Sequence, residues 1–231
     1  MKILAIVPAR DGSKGLRNKN MSKFLGKPLI YYSIKFMKKL KGIYPFISTD
    51  SKKILEFSRK FGFKDSYLRP KNLASDTSNV VDAIIDSINY LEKKNLNFEY
   101  VLLLQPTSPL RNIKQITKWI KFVKKNDISS SASAYRIPYH PSETLKFKKK
   151  KWNFLTKNKS GVYRRQDYDK NYFFIDGSFY MCKVDTLKKN KSFLTENKTH
   201  IFKVNSEYPI DINNSLDLKI AEIIYRNEAR K

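Results

Sequence analysis

Short apolar runs alternate with amphipathic segments along most of the chain. Runs such as "KILAIVPA" and "YVLLLQ" have the length of buried strands, and the segments between them repeat apolar residues at helical spacing. This pattern predicts strands in "KILAIVPA", "YPFIST", "YVLLLQ", "ISSSASAYRI", "GSFYMCKVDTL" and "THIFKVN". It predicts helices in "PLIYYSIKFMKKL", "SKKILEFSRKFG", residues 80–93, residues 112–125 and "NSLDLKIAEIIYRNEARK". The alternation favours an α/β fold whose mostly parallel sheet is covered by helices on both faces.

The last predicted helix has a clear amphipathic pattern. An asparagine or serine at its start is typical of a helix cap. Helical spacing predicts that its buried face consists of Leu216, Ile220, Ala221 and Ile224.

Residues 138–174 interrupt the alternation with proline, basic and aromatic residues. We interpret them as an inserted arm of short strands and turns that forms an oligomer contact, and we assign residues 1–137 and 175–231 to the core. The basic run "KFKKKKW" within the arm is interpreted as the tip of a hairpin.

Composition bounds the class of protein. The 231 residues carry a formal net charge of +26, and the lysines are scattered along helix faces, which is typical of a solvated surface rather than a nucleic-acid-binding stripe. No apolar run approaches the roughly 20 residues of a membrane span, and the first run is too short for a signal-peptide core. Cys182 is the single cysteine, which excludes a disulfide framework. We expect a soluble cytoplasmic protein with neither membrane nor nucleic acid as partner.

The loop "ARDGSKGLRNKN" follows the first predicted strand directly. Glycines let backbone amides approach a ligand, and Arg10, Ser13 and Lys14 can donate charge-assisted hydrogen bonds to a triphosphate. The spacing fits neither a dinucleotide fingerprint nor a Walker A loop. In parallel sheets ligands bind beyond the carboxyl ends of the strands, so this loop and "PTSPLR" are predicted to open on one crevice.

Five blocks carry a family resemblance: "IVPARDGSKGLRNKN", "RPKNLASDTS", "LLLQPTSPLR", "YRRQD" and "IDINNSLDLKIAE". In this order they resemble the CMP-N-acylneuraminate synthetases, the cytidylyltransferases of sialic, legionaminic and related nonulosonic acids. The resemblance implies a three-layer Rossmann-like nucleotidyltransferase fold. It also implies that the anomeric hydroxyl of a nine-carbon keto-acid sugar attacks the α-phosphate of CTP, releasing pyrophosphate.

The resemblance implies a role for each matching residue. The triphosphate is expected to contact Arg10, Ser13, Lys14 and Lys19. Cytosine and ribose are expected to contact Asn20, Arg69 and the segment around Ala74. The sugar is expected to contact Gln105, Thr107, Ser108, Arg165 and Tyr180. Because this arm comes largely from a dimer partner in the family, the resemblance implies a homodimer that completes the sugar site.

The family also implies Mg²⁺, held here by Asp211 and Asn213. Asn213 stands where the family often has a second aspartate, so one negative charge is lost. Asp217 is interpreted as a first-turn helix residue rather than a ligand. Asp11, Glu143 and Asp176 also depart from the family pattern, which puts the sugar contacts and the identity of the sugar in question.

Other functions remain open at this point. His140, His200 and Cys182 have no partners at catalytic spacing and are interpreted as structural, which agrees with a reaction that needs no enzyme nucleophile. The charge and the interleaved aromatic residues keep a nucleic-acid-binding protein as the alternative in another class. Within the enzymes, a CMP-sugar synthetase for another keto-acid sugar, a glycosyltransferase and an inactive paralogue are the alternatives.

Overall fold

The computed structural model describes residues 2–12, 16, 18–63, 67–156, 164–204 and 210–228. Its strands are β1 (Ile3–Pro8), β2 (Lys23–Phe24), β3 (Lys27–Pro28), β4 (Ile43–Ser48), β5 (Tyr100–Leu103), β6 (Ser130–Arg136), β7 (Leu145–Lys148), β8 (Lys151–Phe154), β9 (Phe173–Lys183) and β10 (His200–Val204). Its α-helices are α1 (Leu29–Lys39), α2 (Lys52–Arg59), α3 (Val80–Glu92), α4 (Ile113–Lys125), α5 (Val184–Asn190) and α6 (Ser215–Glu228). All predicted strands and helices are present, with ends shifted by a few residues. The end of the predicted strand "GSFYMCKVDTL" is wrong, because its last four residues begin α5, which the sequence pattern did not predict.

Six strands form the central sheet in the order β10-β6-β9-β5-β1-β4. β4, β1 and β5 pair in parallel, as do β6 and β10, whereas β9 pairs antiparallel with both of its neighbours. The mostly parallel sheet predicted from the sequence is therefore confirmed. The carboxyl ends of β1, β4 and β5 lie side by side at one edge of the sheet.

Helices cover both faces of the sheet, because successive side chains of a strand point to opposite faces. In β1, Ile3, Ala5 and Val7 pack with α1 and α4, whereas Leu4 and Ile6 pack with α3 and α5. All five side chains are buried. Burial of a large aliphatic side chain stabilises the fold by about 1.5–3 kcal/mol, so these two clusters hold the three layers together.

Helix α6 is oriented differently from the prediction. Asn214 caps it as expected, since its Oδ1 accepts from the N–H groups of Leu216 and Asp217 at 2.8 and 2.9 Å. Ala221 is fully buried, but Leu216 and Ile220 are 62% and 41% exposed, so the predicted buried face is wrong at both positions.

The physical reason lies in the partners of α6. The helix packs on a small cluster formed by Phe24, Leu29 and Ile212, where the small side chain of Ala221 permits a close approach. Leu218 rather than Leu216 faces that cluster. Within the described ranges, no helix has both the length and the apolar character that crossing a bilayer requires.

The arm contains the predicted hairpin. β7 and β8 pair antiparallel around a two-residue tip at residues 149–150, so the basic run is a hairpin tip, as predicted. Leu145 pairs with Phe154 and Phe147 with Trp152, which places four apolar side chains on one face, all of them exposed. β9 begins at residue 173, two residues before the predicted return to the core.

Candidate active site

A cavity of about 310 Å³ opens at the carboxyl ends of β1, β4 and β5. Residues from five separate parts of the chain converge on it. The lining consists of Pro8, Arg10, Lys19, Asn20, Arg69, Leu73, Ser78, Val80, Gln105, Pro106, Thr107, Asp211 and Asn213. Eight of these are residues that the sequence assigns to nucleotide, sugar or metal, so the predicted crevice exists.

The loop after β1 is fixed at both ends. Ala9 N–H donates to the carbonyl of Ser48 at 2.9 Å, and Asp11 N–H donates to Asp50 Oδ1 at 2.7 Å, which ties the loop to the end of β4. At the far end, Asn20 Nδ2 donates to the carbonyl of Arg10 at 3.0 Å. Asn20 therefore shapes the loop as well as lining the cavity.

Arg10 forms an ion pair across the mouth of the cavity. Its Nη1 lies 2.5 Å from Asp76 Oδ1, and both side chains are about one-third exposed, at 32% and 35%. Ion pairs with this degree of exposure contribute little stability, about 0–1 kcal/mol. A phosphate could therefore replace Asp76 as the partner of Arg10 at small cost. The sequence did not single out Asp76, although it lies within the block "RPKNLASDTS".

Arg69 is a buried cation in the wall of the cavity and is only 6% exposed. Its Nη2 and Nε donate to the carbonyl and hydroxyl of Ser48 at 2.5 and 3.3 Å, and Nη1 donates to the carbonyl of Leu73 at 3.5 Å. These bonds use three of the five guanidinium N–H groups. Burial lowers the pKa of Arg69, and the charge of Asp50 opposes this shift.

Lys19 lies between the phosphate loop and the acidic segment before α6. Its Nζ donates to the carbonyl of Ile212 at 2.9 Å and to Asn213 Oδ1 at 3.3 Å. Burial lowers the pKa of Lys19; Asp211 raises it, Arg10 lowers it further and Asp217 raises it. The site thus holds a desolvated cation next to one acidic side chain.

Alternating burial orients the acidic segment. Ile212 is fully buried, and its N–H donates to the carbonyl of Thr107 at 2.9 Å, so the exposed side chains of Asp211 and Asn213 both reach the cavity. Asn213 Nδ2 donates to Asp211 Oδ2 at 3.0 Å. Asn213 therefore accepts a hydrogen bond from Lys19 through Oδ1 and donates one to Asp211 through Nδ2.

Asp217 has the helix role that the sequence predicts. Its Oδ2 accepts from the N–H groups of Asn213 and Asn214 at 2.7 and 3.1 Å, just before the first turn of α6. Among the described residues no three His, Cys, Asp or Glu side chains cluster as a set of metal ligands. A metal ion at this site would have to take many of its ligand atoms from a bound substrate.

The loop after β5 supplies the other wall of the cavity. Gln105 and Thr107 line it, whereas Ser108 is 3% exposed and lies behind them. Ser108 Oγ has no hydrogen-bond partner among the described residues. Buried polar atoms are normally paired, so this hydroxyl can bond a ligand or water that reaches the back of the loop.

Tyr180 is half-buried in β9 and packs against Phe193, with ring centroids 5.8 Å apart. Burial raises its pKa to about 12, and the charges of Asp176 and Asp211 add to the shift. Tyr180 is absent from the lining of the cavity, so its packing is that of a core residue at the edge of the site.

Four further predicted contacts are absent from the described lining of the cavity. Ser13 and Lys14 fall outside the described residues, and the structure describes only the backbone of Arg165. Ala74 lies beside the cavity, whose wall is formed by its neighbour Leu73.

Sequence inspection missed several residues of the lining, among them Ser78 and Val80. They belong to the loop before α3 and the first turn of that helix. Ser78 ends the block "RPKNLASDTS", which could have marked it, whereas no pattern in the sequence marks Val80.

A family model described as cytidylyltransferase matches residues 4–228. A pseudaminic acid cytidylyltransferase from Campylobacter jejuni is 33% identical over 231 residues, which cover 98% of this chain and 97% of the relative. A CMP-N,N'-diacetyllegionaminic acid synthase from Legionella pneumophila is 30% identical, with coverage of 96% and 95%. The structure of a CMP:2-keto-3-deoxy-manno-octonic acid synthetase in complex with CTP matches the fold with a TM-score of 0.72 at 14% identity, covering 99% of this chain and 100% of that chain. The sequence match over nearly the whole length, together with this nucleotidyltransferase fold and the cavity lined by the predicted nucleotide residues, shows that the chain belongs to the cytidylyltransferase family.

Proposed function

We propose that this cytidylyltransferase transfers CMP from CTP to the anomeric hydroxyl of a nonulosonic acid and releases pyrophosphate. One observation carries the proposal. The residues that the family resemblance assigns to the nucleotide, Arg10, Lys19, Asn20 and Arg69, share one cavity with those assigned to the sugar, Gln105 and Thr107. The two substrates of such a transfer must meet within bonding distance, and a shared cavity permits this.

The nucleotide half of the reaction depends on fixed positive charge. Arg10 and Lys19 belong to the loop after β1 and line the cavity, where they offset the charge of the triphosphate before and during transfer. Arg69 retains two guanidinium N–H groups beyond those bonded to Ser48 and Leu73, which suit a ring carbonyl or ribose oxygen.

Cytidylyltransferases generally use a divalent metal, and we propose Mg²⁺ here. Asp211 supplies one carboxylate, and Mg²⁺ commonly binds one or two carboxylates together with substrate phosphates, so the residues present fit this cation. Bound Mg²⁺ would neutralise charge on the phosphates and the leaving pyrophosphate. Asn213 holds Asp211 in place through its amide rather than adding a second charge.

The transfer is a direct displacement. The bond from the sugar oxygen to the α-phosphorus forms, the bond from that phosphorus to the pyrophosphate oxygen breaks, and the hydroxyl proton is lost to solvent. Among the described residues, the lining contains no cysteine or histidine that could act as a covalent nucleophile. Cys182 is fully buried, and burial raises its pKa to about 12.

The arm supports a further part of the proposal. A two-stranded hairpin with an exposed apolar face is not stable alone in water, and its four apolar side chains need a partner. We propose that a second copy covers this face and that Arg165 of the arm completes the sugar site by pairing with the substrate carboxylate. We place the reaction in the cytoplasm, because the lone cysteine is buried and needs no oxidising compartment.

Pyrophosphate release tests the proposal. Purified protein should release pyrophosphate with CTP, Mg²⁺ and one of N-acetylneuraminate, legionaminate or pseudaminate, and should not do so with ATP, GTP or UTP. Turnover with 2-keto-3-deoxy-manno-octonate alone would contradict the nine-carbon substrate. Absence of both turnover and CTP binding, with steeply salt-dependent binding to long polyanions, would instead support a nucleic-acid-binding protein.

A further inference from the structure

Arg111 is a half-buried cation that the proposed chemistry does not use. It belongs to "PTSPLR", yet it is absent from the cavity and turns toward the sheet. Its Nη2 donates to the carbonyl of Gln105 at 2.5 Å, Nε to the carbonyl of Ser178 at 2.8 Å, and Nη1 to Ser33 Oγ at 3.1 Å. Burial lowers the pKa of Arg111, and Asp176 opposes that shift. A desolvated cation is costly, so its position calls for a reason beyond packing.

Asp176 binds Ser178 as well, through its carboxylate. It is 7% exposed, and it accepts hydrogen bonds from the hydroxyl and N–H of Ser178 at 2.6 and 3.3 Å and from the hydroxyl of Ser133. Ser133 lies in β6 at the point where the register with β9 shifts. Ser178 is therefore clamped, with Arg111 on its carbonyl and Asp176 on its donors.

The clamped segment touches the loop that lines the cavity. Gly177 has a φ of +74°, and a Cβ at this position would lie 3.1 Å from Gln105 Oε1 and 3.4 Å from Ser108 Oγ. The backbone of Gln105 is bonded to Arg111, and its side-chain amide packs on Gly177. Both ends of Gln105 are therefore set by the same two charged residues.

We propose that Arg111 and Asp176 are a pair of positioning residues that fix the amide of Gln105 against the acceptor sugar. Neither touches the cavity; both act through the position of Gln105 and of the bulge at residues 176–178. The inference rests on the proposed function for the identity of the substrate, but the positioning itself is a property of the protein alone.

The test is a double-mutant cycle on the full-length protein. Arg111→Lys keeps a cation but loses the planar guanidinium whose three nitrogens bond three separate acceptors, and Asp176→Asn keeps the shape but removes the charge. Each should raise the KM for the sugar by about tenfold to a hundredfold, because small misplacements of substrate-positioning groups have effects of this size. The dissociation constant of CTP should stay within about twofold, since the nucleotide contacts lie on the other wall. When either substitution is added to Gln105→Ala, the sugar KM should rise no further.

Lys188→Met is the control, because it removes the cation of an ion pair with Glu92 at 2.6 Å, and neither residue lines the cavity. This variant should leave the KM for the sugar and the dissociation constant of CTP unchanged. Additive losses in the cycle, or equal changes for CTP and sugar, would overturn the inference and assign Arg111 and Asp176 a purely structural role.

Amide hydrogen exchange decides the question without substrate. In Arg111→Lys, the amides of Leu104, Gln105, Thr107 and Ser108 and of residues 176–179 should exchange faster than in the parent protein, while those of α3 and α5 remain unchanged. Unaltered exchange at Leu104, Gln105, Thr107 and Ser108 overturns the inference. If the parent protein turns over no nonulosonic acid, the proposed function fails, and this exchange measurement still decides whether the pair positions Gln105.

Discussion

At the residue scale, Arg69 combines a structural and a binding role in one side chain. Its guanidinium donates to the carbonyl of Ser48 at the end of β4 and to the carbonyl of Leu73, four residues after Arg69 in the chain. Arg69 also lines the cavity. Arg69→Met should weaken CTP binding roughly tenfold to a hundredfold and lower the free energy of unfolding by about 1–3 kcal/mol, because buried acceptors lose a charged donor. Isothermal titration with CTP and thermal unfolding measure the two effects.

Ser48→Ala is the control for Arg69→Met. It removes only the 3.3 Å bond to Nε and the hydroxyl contact with Ser87, and it leaves the carbonyl in place. It should lower stability and spare CTP binding. Unchanged CTP affinity in Arg69→Met would remove Arg69 from the nucleotide site.

Lys19 predicts how CTP binding depends on pH. Burial lowers its pKa, so the ammonium group should lose its proton at a pH below the ordinary lysine pKa of about 10.4. CTP binding should weaken as this proton is lost. Lys19→Arg should move this alkaline loss to higher pH, as measured by the CTP dissociation constant from about pH 7 to about pH 10.

The contribution of Lys19 to stability has the opposite sign. Because the pKa is lower in the folded than in the unfolded state, the unfolded chain binds more protons over this pH interval, and stability rises with pH. An alkaline loss of CTP binding that is identical in Lys19→Arg would assign the loss to another group.

Asn213 predicts how the site responds to metal. In Asn213→Asp a second carboxylate would stand beside Asp211 and face Lys19, in place of the amide that now bridges them. The Mg²⁺ concentration for half-maximal activity should fall several-fold, because a carboxylate is a stronger ligand than an amide for this cation. Direct titration with Mn²⁺ as a spectroscopic probe should show tighter binding to the free protein. Asn213→Ala should neither lower the Mg²⁺ concentration for half-maximal activity nor tighten Mn²⁺ binding. An unchanged Mg²⁺ requirement in Asn213→Asp would exclude position 213 from the metal shell.

At the element scale, the bulge in β9 sets the shape of the site. Gly177→Ala would strain a residue with positive φ and press a Cβ against the Gln105 amide at 3.1 Å. Strain of this kind costs of order 1–3 kcal/mol, so the melting temperature should fall. The sugar KM should rise as well, because Gln105 must shift.

Gly26→Ala provides a matched comparison for the bulge. Gly26 has a similar φ of +77°, but a Cβ there would meet nothing within 4 Å. Gly26→Ala should therefore lower the melting temperature by a similar amount to Gly177→Ala and leave the sugar KM unchanged. If both variants change the sugar KM alike, strain alone explains the effect and the contact with Gln105 does not matter.

At the scale of the whole molecule, the arm predicts an association between two copies. Phe147→Ser combined with Trp152→Ser removes the central pair of the exposed face of the hairpin. Light scattering after gel filtration should show a dimer for the parent protein and a monomer for the variant, with lower turnover. Lys146→Ser and Asn153→Ser, on the opposite face, should leave the dimer intact. A parent protein that is monomeric at micromolar concentration would contradict this role of the arm.

The sequence by itself determined most of the long helices and strands and most residues that line the cavity. Strand and helix periods are local properties, so the pattern placed β1 and the start of α4 at Asn112, which proves to be its N-cap because Oδ1 accepts from Gln115 N–H at 3.1 Å. The rule that ligands bind at the carboxyl ends of parallel strands brought the loop after β1 and Gln105 to one crevice. The ordered blocks of family resemblance added Arg69 and Asp211.

Only the tertiary structure decided what depends on partners far apart in the chain. β9 runs antiparallel between β5 and β6, and α6 turns Leu218 rather than Leu216 to the core, because long-range packing rather than local pattern selects these arrangements. The bonds that link Arg111 to Ser178 and Arg10 to Asp76 span 67 and 66 residues. No periodicity encodes such contacts, since they form only after the chain has closed on itself.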